Sequence, residues 1–124
     1  MDWNALPEGP WIVTFYFGLT RLASPSVTEQ EWSDFLAEVV TPAFTDGFTV
    51  MDGAGQYFNN RRKAVVKIQT KVLVVTANKA NVDDIDRIRS EYERRFDQIA
   101  VGLTVVAGHT EFGPTLVRGS DRLS

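Results

Sequence analysis

The stretch GFTVMDGAGQYF, from Gly47 to Phe58, constrains the fold of this chain most, because two apolar β-prone runs meet there at Asp52-Gly53-Ala54-Gly55. Glycine reaches positive φ without strain, so Gly53 and Gly55 suit a tight turn or a bulge. The expectation is a strand over Gly47 to Met51 that bends near Gly53 and runs on through Gln56, Tyr57 and Phe58 without leaving its sheet.

Elements of matching kind flank it on both sides. Trp11 to Leu19, WIVTFYFGL, is β-branched and aromatic without helical spacing, the pattern of a central strand buried on both faces. Thr28 stands three residues before Glu31, a capping box. The helix it opens carries Trp32, Phe35, Leu36, Val39 and Val40 on one face and stops at Pro42. Asn59 to Lys63 is a polar turn, and Ala64 to Ala77 is a long strand that closes a hairpin. A second helix begins at Asn81 as its cap, with Asp83 and Asp84 in the first turn and Arg94 and Arg95 late, where the helix dipole favours each sign. Its inner face is Ile85, Ile88, Tyr92, Phe96 and Ile99, and Gly102 to Phe112 reads as the last strand.

The resulting strand-helix-strand-strand-helix-strand order is that of an α+β, ferredoxin-like fold, a four-stranded antiparallel sheet with both helices on one face. Residues 1–10 form an N-terminal arm, 11–112 a single domain and 113–124 a polar tail expected to fray. With the helices on one side, the other sheet face is bare, and bare apolar faces take a second subunit or a ligand. A face-to-face homodimer is expected, with a small molecule in the cleft between sheets.

Composition narrows the partners. The 13 Lys and Arg residues are interspersed with 16 acidic ones for a net charge of −3, so no basic field invites nucleic acid. The absence of cysteine excludes disulfides and thiolate chemistry. No apolar run approaches the ~20 residues of a membrane span. The start MDWNALPEGP lacks the basic and apolar segments of a secretory signal, so the chain reads as soluble and cytoplasmic.

The residues Gly18, Trp32, Thr41, Pro42, Phe44, Gly47, Thr49, Val50, Gly55, Gln56, Tyr57, Lys71, Val72, Tyr92, Phe96 and Gln98 follow a recognisable order. It comprises a glycine after the first strand, a helical tryptophan, Thr-Pro and Phe before a Gly-Leu-Thr-Val strand, then Gly-Gln-aromatic, Ser-Lys-Val, and a late Tyr, Phe and Gln. In this pattern the chain resembles, over about residues 14 to 101, a family of small bacterial proteins of unknown function, some of them lipoproteins. The chain departs from it at Gln69, where the family has Glu, and in lacking the leader cysteine of the lipoprotein members. The resemblance implies a shared fold and pocket and no particular reaction.

Candidate chemistry rests on few residues. His109, the sole histidine, can serve as acid or base near neutral pH, against the plainer reading of a solvated edge-strand imidazole. Lys71 opens the most apolar strand, where burial would depress its pKa and make it a base or nucleophile; the alternative is a lysine reaching out to the sheet edge. Thr14 and Tyr16 alternate with Val13, Phe15 and Phe17, so they line the open face if the larger apolar set meets the helices. The Tyr16 phenol can then donate to a substrate carbonyl, or sit in a dimer interface. Gln56 and Gln98 would orient a ligand. Arg61, Arg62 and Lys63 form a basic cluster that suits a solvated hairpin tip better than an anion site. No clustered ligand spacing points to a metal. The sequence thus favours a metal- and cofactor-free enzyme doing proton-transfer chemistry of isomerase, cyclase or lyase type on an apolar carbonyl-bearing or aromatic substrate. Tyr16, Lys71 and His109 would be catalytic and Thr14, Gln56 and Gln98 would bind substrate; the alternative is a non-catalytic ligand-binding or interaction dimer.

Overall fold

The computed structural model describes residues 1–21 and 24–116. Four strands, β1 (Trp11–Gly18), β2 (Thr49–Asn59), β3 (Ala64–Ala77) and β4 (Gly102–Ala107), form one antiparallel sheet in the order β2-β3-β1-β4. Helix α1 (Glu29–Phe35) continues through a π-helical stretch, Leu36–Val40, and one further turn, Thr41–Ala43. Helix α2 (Val82–Arg95) follows β3. This is the ferredoxin-like arrangement that the element order implied.

Period-two alternation builds the core. The odd-numbered side chains of β1, Trp11, Val13, Phe15 and Phe17, are fully buried, and Lys71, Leu73, Val75 and Ala77 of β3 stand beside them in register. Against this face the helices bring Trp32, Phe35, Ile85, Ile88, Tyr92 and Phe96. Phe17 lies at the centre, with ring centroids 5.1 Å from Trp32, 5.8 Å from Phe35 and 4.7 Å from Tyr92. Each fully buried side chain of this size stabilises the fold by roughly 1.5–3 kcal/mol.

Several sequence expectations need correction. Strand β1 is buried on one face, with Tyr16 exposed on the other. The Gly53 to Gly55 stretch neither turns nor bulges: β2 pairs with β3 without a break from Thr49↔Val74 to Asn59↔Ala64. Positive φ belongs instead to Gly47, at 118°, where the chain enters β2. Pro42 does not end the first helix. It lacks the N–H that an α-helix would use there, and the preceding π turn, in which the Thr41 N–H donates to the Leu36 carbonyl, carries the chain past it. The capping box at Thr28 and Glu31 is present in both directions.

Asn81 stands at the N-cap position of α2 as expected, but its side chain makes no hydrogen bond into that helix. Asn78 caps a 3-10 turn, Lys79–Asn81, and Asn81 accepts from the Asn78 N–H. Ile99 falls outside the helix, which ends at Arg95 before Asp97 turns left-handed at φ 52°, and it is 86% exposed. β4 ends at Ala107 rather than Phe112, because Ala107 faces Trp11, the first residue of β1, and beyond it the Gly108 N–H has the Pro10 carbonyl as partner. Of the tail expected over 113–124, residues 117–124 lie outside the described residues. No helix among the described residues is long and apolar enough to cross a membrane.

Candidate functional site

The register assigns every strand position to a face. Opposite the helices stand Ile12, Thr14, Tyr16 and Gly18 of β1, the odd-numbered residues of β2, the even-numbered residues of β3, and Gly102, Thr104 and Val106 of β4. Among the described residues this open face carries no charged side chain on any of the four strands. The acids and bases of the strands, Asp52, Lys67 and Lys71, all take the helix-side register.

At the end of the open face where β1 stops, a cleft of about 310 Å³ opens between β1, the β2–β3 hairpin and the segment that leads into β4. Tyr16, Thr70, Tyr57 and Ile68 line it together with Gln56, Gln98 and Thr20. Local packing makes the room. Gly18 and Gly55 line the cleft, and Gly102, directly opposite Tyr16, leaves space that the Tyr16 ring occupies.

Two polar groups beside the cleft are held in place. The Tyr16 hydroxyl accepts a hydrogen bond from Thr104 Oγ1 at 3.3 Å, which leaves its own proton for another acceptor. The Gln98 amide nitrogen donates to the Thr20 carbonyl at 2.7 Å and to the Phe96 carbonyl at 3.3 Å, so its carbonyl oxygen turns toward Gly18 as an acceptor. Beneath them the Tyr92 hydroxyl donates to the Gly18 carbonyl at 2.7 Å, and burial holds the Tyr92 phenol well above its ordinary pKa. The cleft therefore offers the Gln98 carbonyl as a fixed acceptor beside the Tyr16 side chain in an uncharged, partly aromatic pocket.

The structure brings Tyr16, Gln56 and Gln98 together in this cleft. Gln56 belongs to the helix-side register, paired with Lys67, and reaches the rim because the hairpin extends beyond β1. Thr14 shares the open face, opposite Val74 and Thr104, two residues from Tyr16.

Lys71 and His109 are elsewhere. Lys71 lies on the helix side under α1, its side chain 7% exposed, with its ammonium 2.6 Å from Asp52 Oδ1 and 2.7 Å from Glu29 Oε1. The hydrogen bonds to Asp52 and then Glu29 raise its pKa against the opposing effect of burial, so the expected depression is reversed. It is a protonated lysine whose stem is packed and whose head meets two exposed carboxylates. His109 is exposed and follows β4 beyond the far end of the sheet, in a separate polar cleft with Pro10, Phe44, Asp46 and Asn78. Tyr16 and the Trp11–Ala107 pair are five residues apart along β1, roughly 17 Å, so His109 cannot act on a group held at Tyr16 within one copy.

Sequence reasoning missed Thr104, Thr70, Tyr57 and Gly102. The cross-strand register makes them neighbours of the cleft, and no single run of sequence reveals that pairing. No clustered set of metal-ligating side chains occurs among the described residues.

A family model described as protein of unknown function (DUF3574) matches residues 13–112. No curated protein matches the chain. Among solved structures, the chain is similar to a phage SAM lyase in complex with S-methyl-5'-thioadenosine, at 15% identity and a TM-score of 0.62, with 86% of this chain and 88% of that chain covered. At that identity the likeness is one of fold.

Proposed function

Since the chain belongs to the DUF3574 family of proteins of unknown function, we propose from the geometry of its open face that it is a small-molecule enzyme of lyase or cyclase type, acting on an aromatic or carbonyl-bearing substrate in the cleft at Tyr16. The observation that carries this reading is that the Tyr16 side chain and the anchored Gln98 amide line one pocket free of charge. Tyr16 donates a hydrogen bond to an oxygen or leaving group on the substrate and keeps its proton, and the Gln98 carbonyl accepts a hydrogen bond from the substrate. The cleft holds no carboxylate or imidazole, so elimination or ring closure in which a group of the substrate itself takes up the departing proton suits it best. The fold likeness to a lyase that holds S-methyl-5'-thioadenosine, a flat base joined through a ribose to a methyl thioether, supports a ligand of that shape between Tyr16 and Tyr57.

The test is a nuclear magnetic resonance titration with S-methyl-5'-thioadenosine and related nucleoside thioethers. Shifts confined to Tyr16, Thr70 and Gln98 are expected, and shifts confined to the His109 cleft would overturn the reading.

A second reading, a non-catalytic dimer module, is favoured by the uncharged open face itself. A sheet face of four strands with no charged side chain is how a protein covers a surface rather than wets it. Turnover of a substrate at the cleft would exclude this second reading, although pairing through the rest of the face is compatible with an enzyme because the cleft occupies one end of it.

A further inference from the structure

Gln98 ties together two chain segments that the fold brings side by side. The left-handed residue Asp97, at φ 52°, turns the chain out of α2, and the Gln98 N–H donates to the Glu93 carbonyl at 3.0 Å. The side-chain nitrogen then crosses to the exit of β1, donating to the Thr20 carbonyl at 2.7 Å, and reaches back to the Phe96 carbonyl at 3.3 Å. A carbonyl oxygen only accepts, so these two partners decide which end of the amide is nitrogen and which is oxygen. Turning the amide over would set oxygen against oxygen at both contacts.

The amide oxygen is thereby left over, and its position is fixed. Gly18 stands on the open face, and a Cβ built there would lie 3.5 Å from Gln98 Oε1 and 3.6 Å from the Ile68 side chain. Gly18, Ile68 and Gln98 all line the cleft of about 310 Å³ at Tyr16. Among the described residues no donor reaches this oxygen. The other polar side chains of the cleft adapt to what they meet. The hydroxyls of Tyr16, Thr20, Tyr57 and Thr70 rotate to donate or accept, and Gln56 is exposed with no side-chain hydrogen bond to hold its amide either way round. Among the described residues Gln98 therefore contributes the one polar group of the cleft whose sense is set before a ligand arrives.

A group of fixed sense discriminates. A ligand that meets Oε1 with an N–H gains a hydrogen bond, whereas one without a donor there strips water from the oxygen and returns nothing. Sites that hold a polar group in place reject the analogue lacking its partner more strongly than they reject a small change of shape. The rings of Tyr16 and Tyr57 give the same cleft aromatic walls. We propose that Gln98 sets the specificity of the cleft, favouring flat aromatic ligands that carry an N–H donor on the ring edge, as an aminopurine does, over counterparts without one. The inference rests on the reading of the Tyr16 cleft as a ligand site and adds the ligand feature that this site selects. Gln98 acts here through binding and takes no part in proton transfer.

The test compares S-methyl-5'-thioadenosine with its 6-deamino counterpart, which keeps the ring and loses the amino group, by nuclear magnetic resonance titration of the wild-type protein and of Gln98→Leu. The wild-type protein is expected to bind the amino ligand roughly tenfold or more tightly than the deamino one. Gln98→Leu is expected to bind the two within about threefold of each other, since the variant removes the group that tells them apart. Gln98→Met takes its place if circular dichroism shows that the leucine variant does not fold. Equal affinities in the wild-type protein, with shifts at Tyr16 and Thr70, would overturn the specificity while leaving the cleft as the ligand site. A preference that survives in the variant would overturn it in the same way. Titrations that leave Tyr16 and Thr70 unshifted would overturn both readings.

Discussion

Gly102 stands directly across from Tyr16 in the β1–β4 ladder, and a Cβ at that glycine would lie 3.1 Å from the Tyr16 Cβ and 3.2 Å from its Cδ2. The glycine gives the Tyr16 ring its resting place on an edge strand, and the ring in turn covers backbone that has no side chain of its own. Thr104, two residues on and on the same face, then reaches the phenol. A Gly102→Ala substitution should displace the Tyr16 ring by a few tenths of an ångström and break its hydrogen bond with Thr104. The expected result is a shifted set of Tyr16 ring resonances and at least a tenfold loss of ligand affinity at the cleft. The cost in global stability should stay below ~1 kcal/mol because Tyr16 is 41% exposed and free to move.

Tyr16→Phe removes the donor and keeps the ring. Turnover of a substrate held in this cleft should fall at least a hundredfold with little change in melting temperature, the signature of a group that acts in the reaction rather than in the fold. His109→Ala should leave turnover within twofold. Comparable losses from both variants would place the reacting centre elsewhere.

Lys71 should behave as a structural side chain. Its partners Glu29 and Asp52 are 80% and 83% exposed, so each carboxylate remains hydrated when the ammonium is removed. Lys71→Met, which keeps the buried stem, should cost less than ~1 kcal/mol. Lys71→Ala, which empties the slot under α1, should cost about 1–3 kcal/mol in urea unfolding. Turnover should survive Lys71→Met unchanged; its loss would restore the lysine to the chemistry.

The pH profile of stability should fall on the alkaline side. The folded pKa of Lys71 is raised by its carboxylate partners and that of Tyr92 by burial. Both groups bind their proton more tightly in the native state, so the stability they contribute is complete below their unfolded values, near 10 to 10.5, and is lost as pH rises through the folded ones. Tyr92→Phe should flatten part of that decline. At neutral pH it should cost about 1 kcal/mol for the hydrogen bond to the Gly18 carbonyl. Chemical denaturation at a series of pH values measures both effects.

Much of the fold is legible in residue order. The Thr28 and Glu31 box, the alternation of Val13, Phe15 and Phe17, and the unbroken β run from Ala64 to Ala77 each report a local preference that the tertiary structure keeps. The errors occur where a local signal had a competitor. Gly53 and Gly55 read as a turn but are strand residues, and at Gly53 a side chain would crowd Val72. Ile99 continued a helical period that the left-handed Asp97 had already ended. The site was half legible: alternation placed Thr14 and Tyr16 on the open face, but composition could not show that Lys71 would find two carboxylates.

The sequence by itself determined the order of elements and which strand positions are apolar, because hydrophobic period and capping act within a few residues of one another. Only the tertiary structure decided the partnership of those residues. The register of β3 between β1 and β2 sends Lys71 beneath a helix to Asp52 and Glu29, gathers Tyr16, Gln98 and Thr104 at one end of the sheet, and leaves His109 at the other. Those placements depend on contacts between residues 19 to 88 positions apart in the chain, beyond the reach of any local pattern.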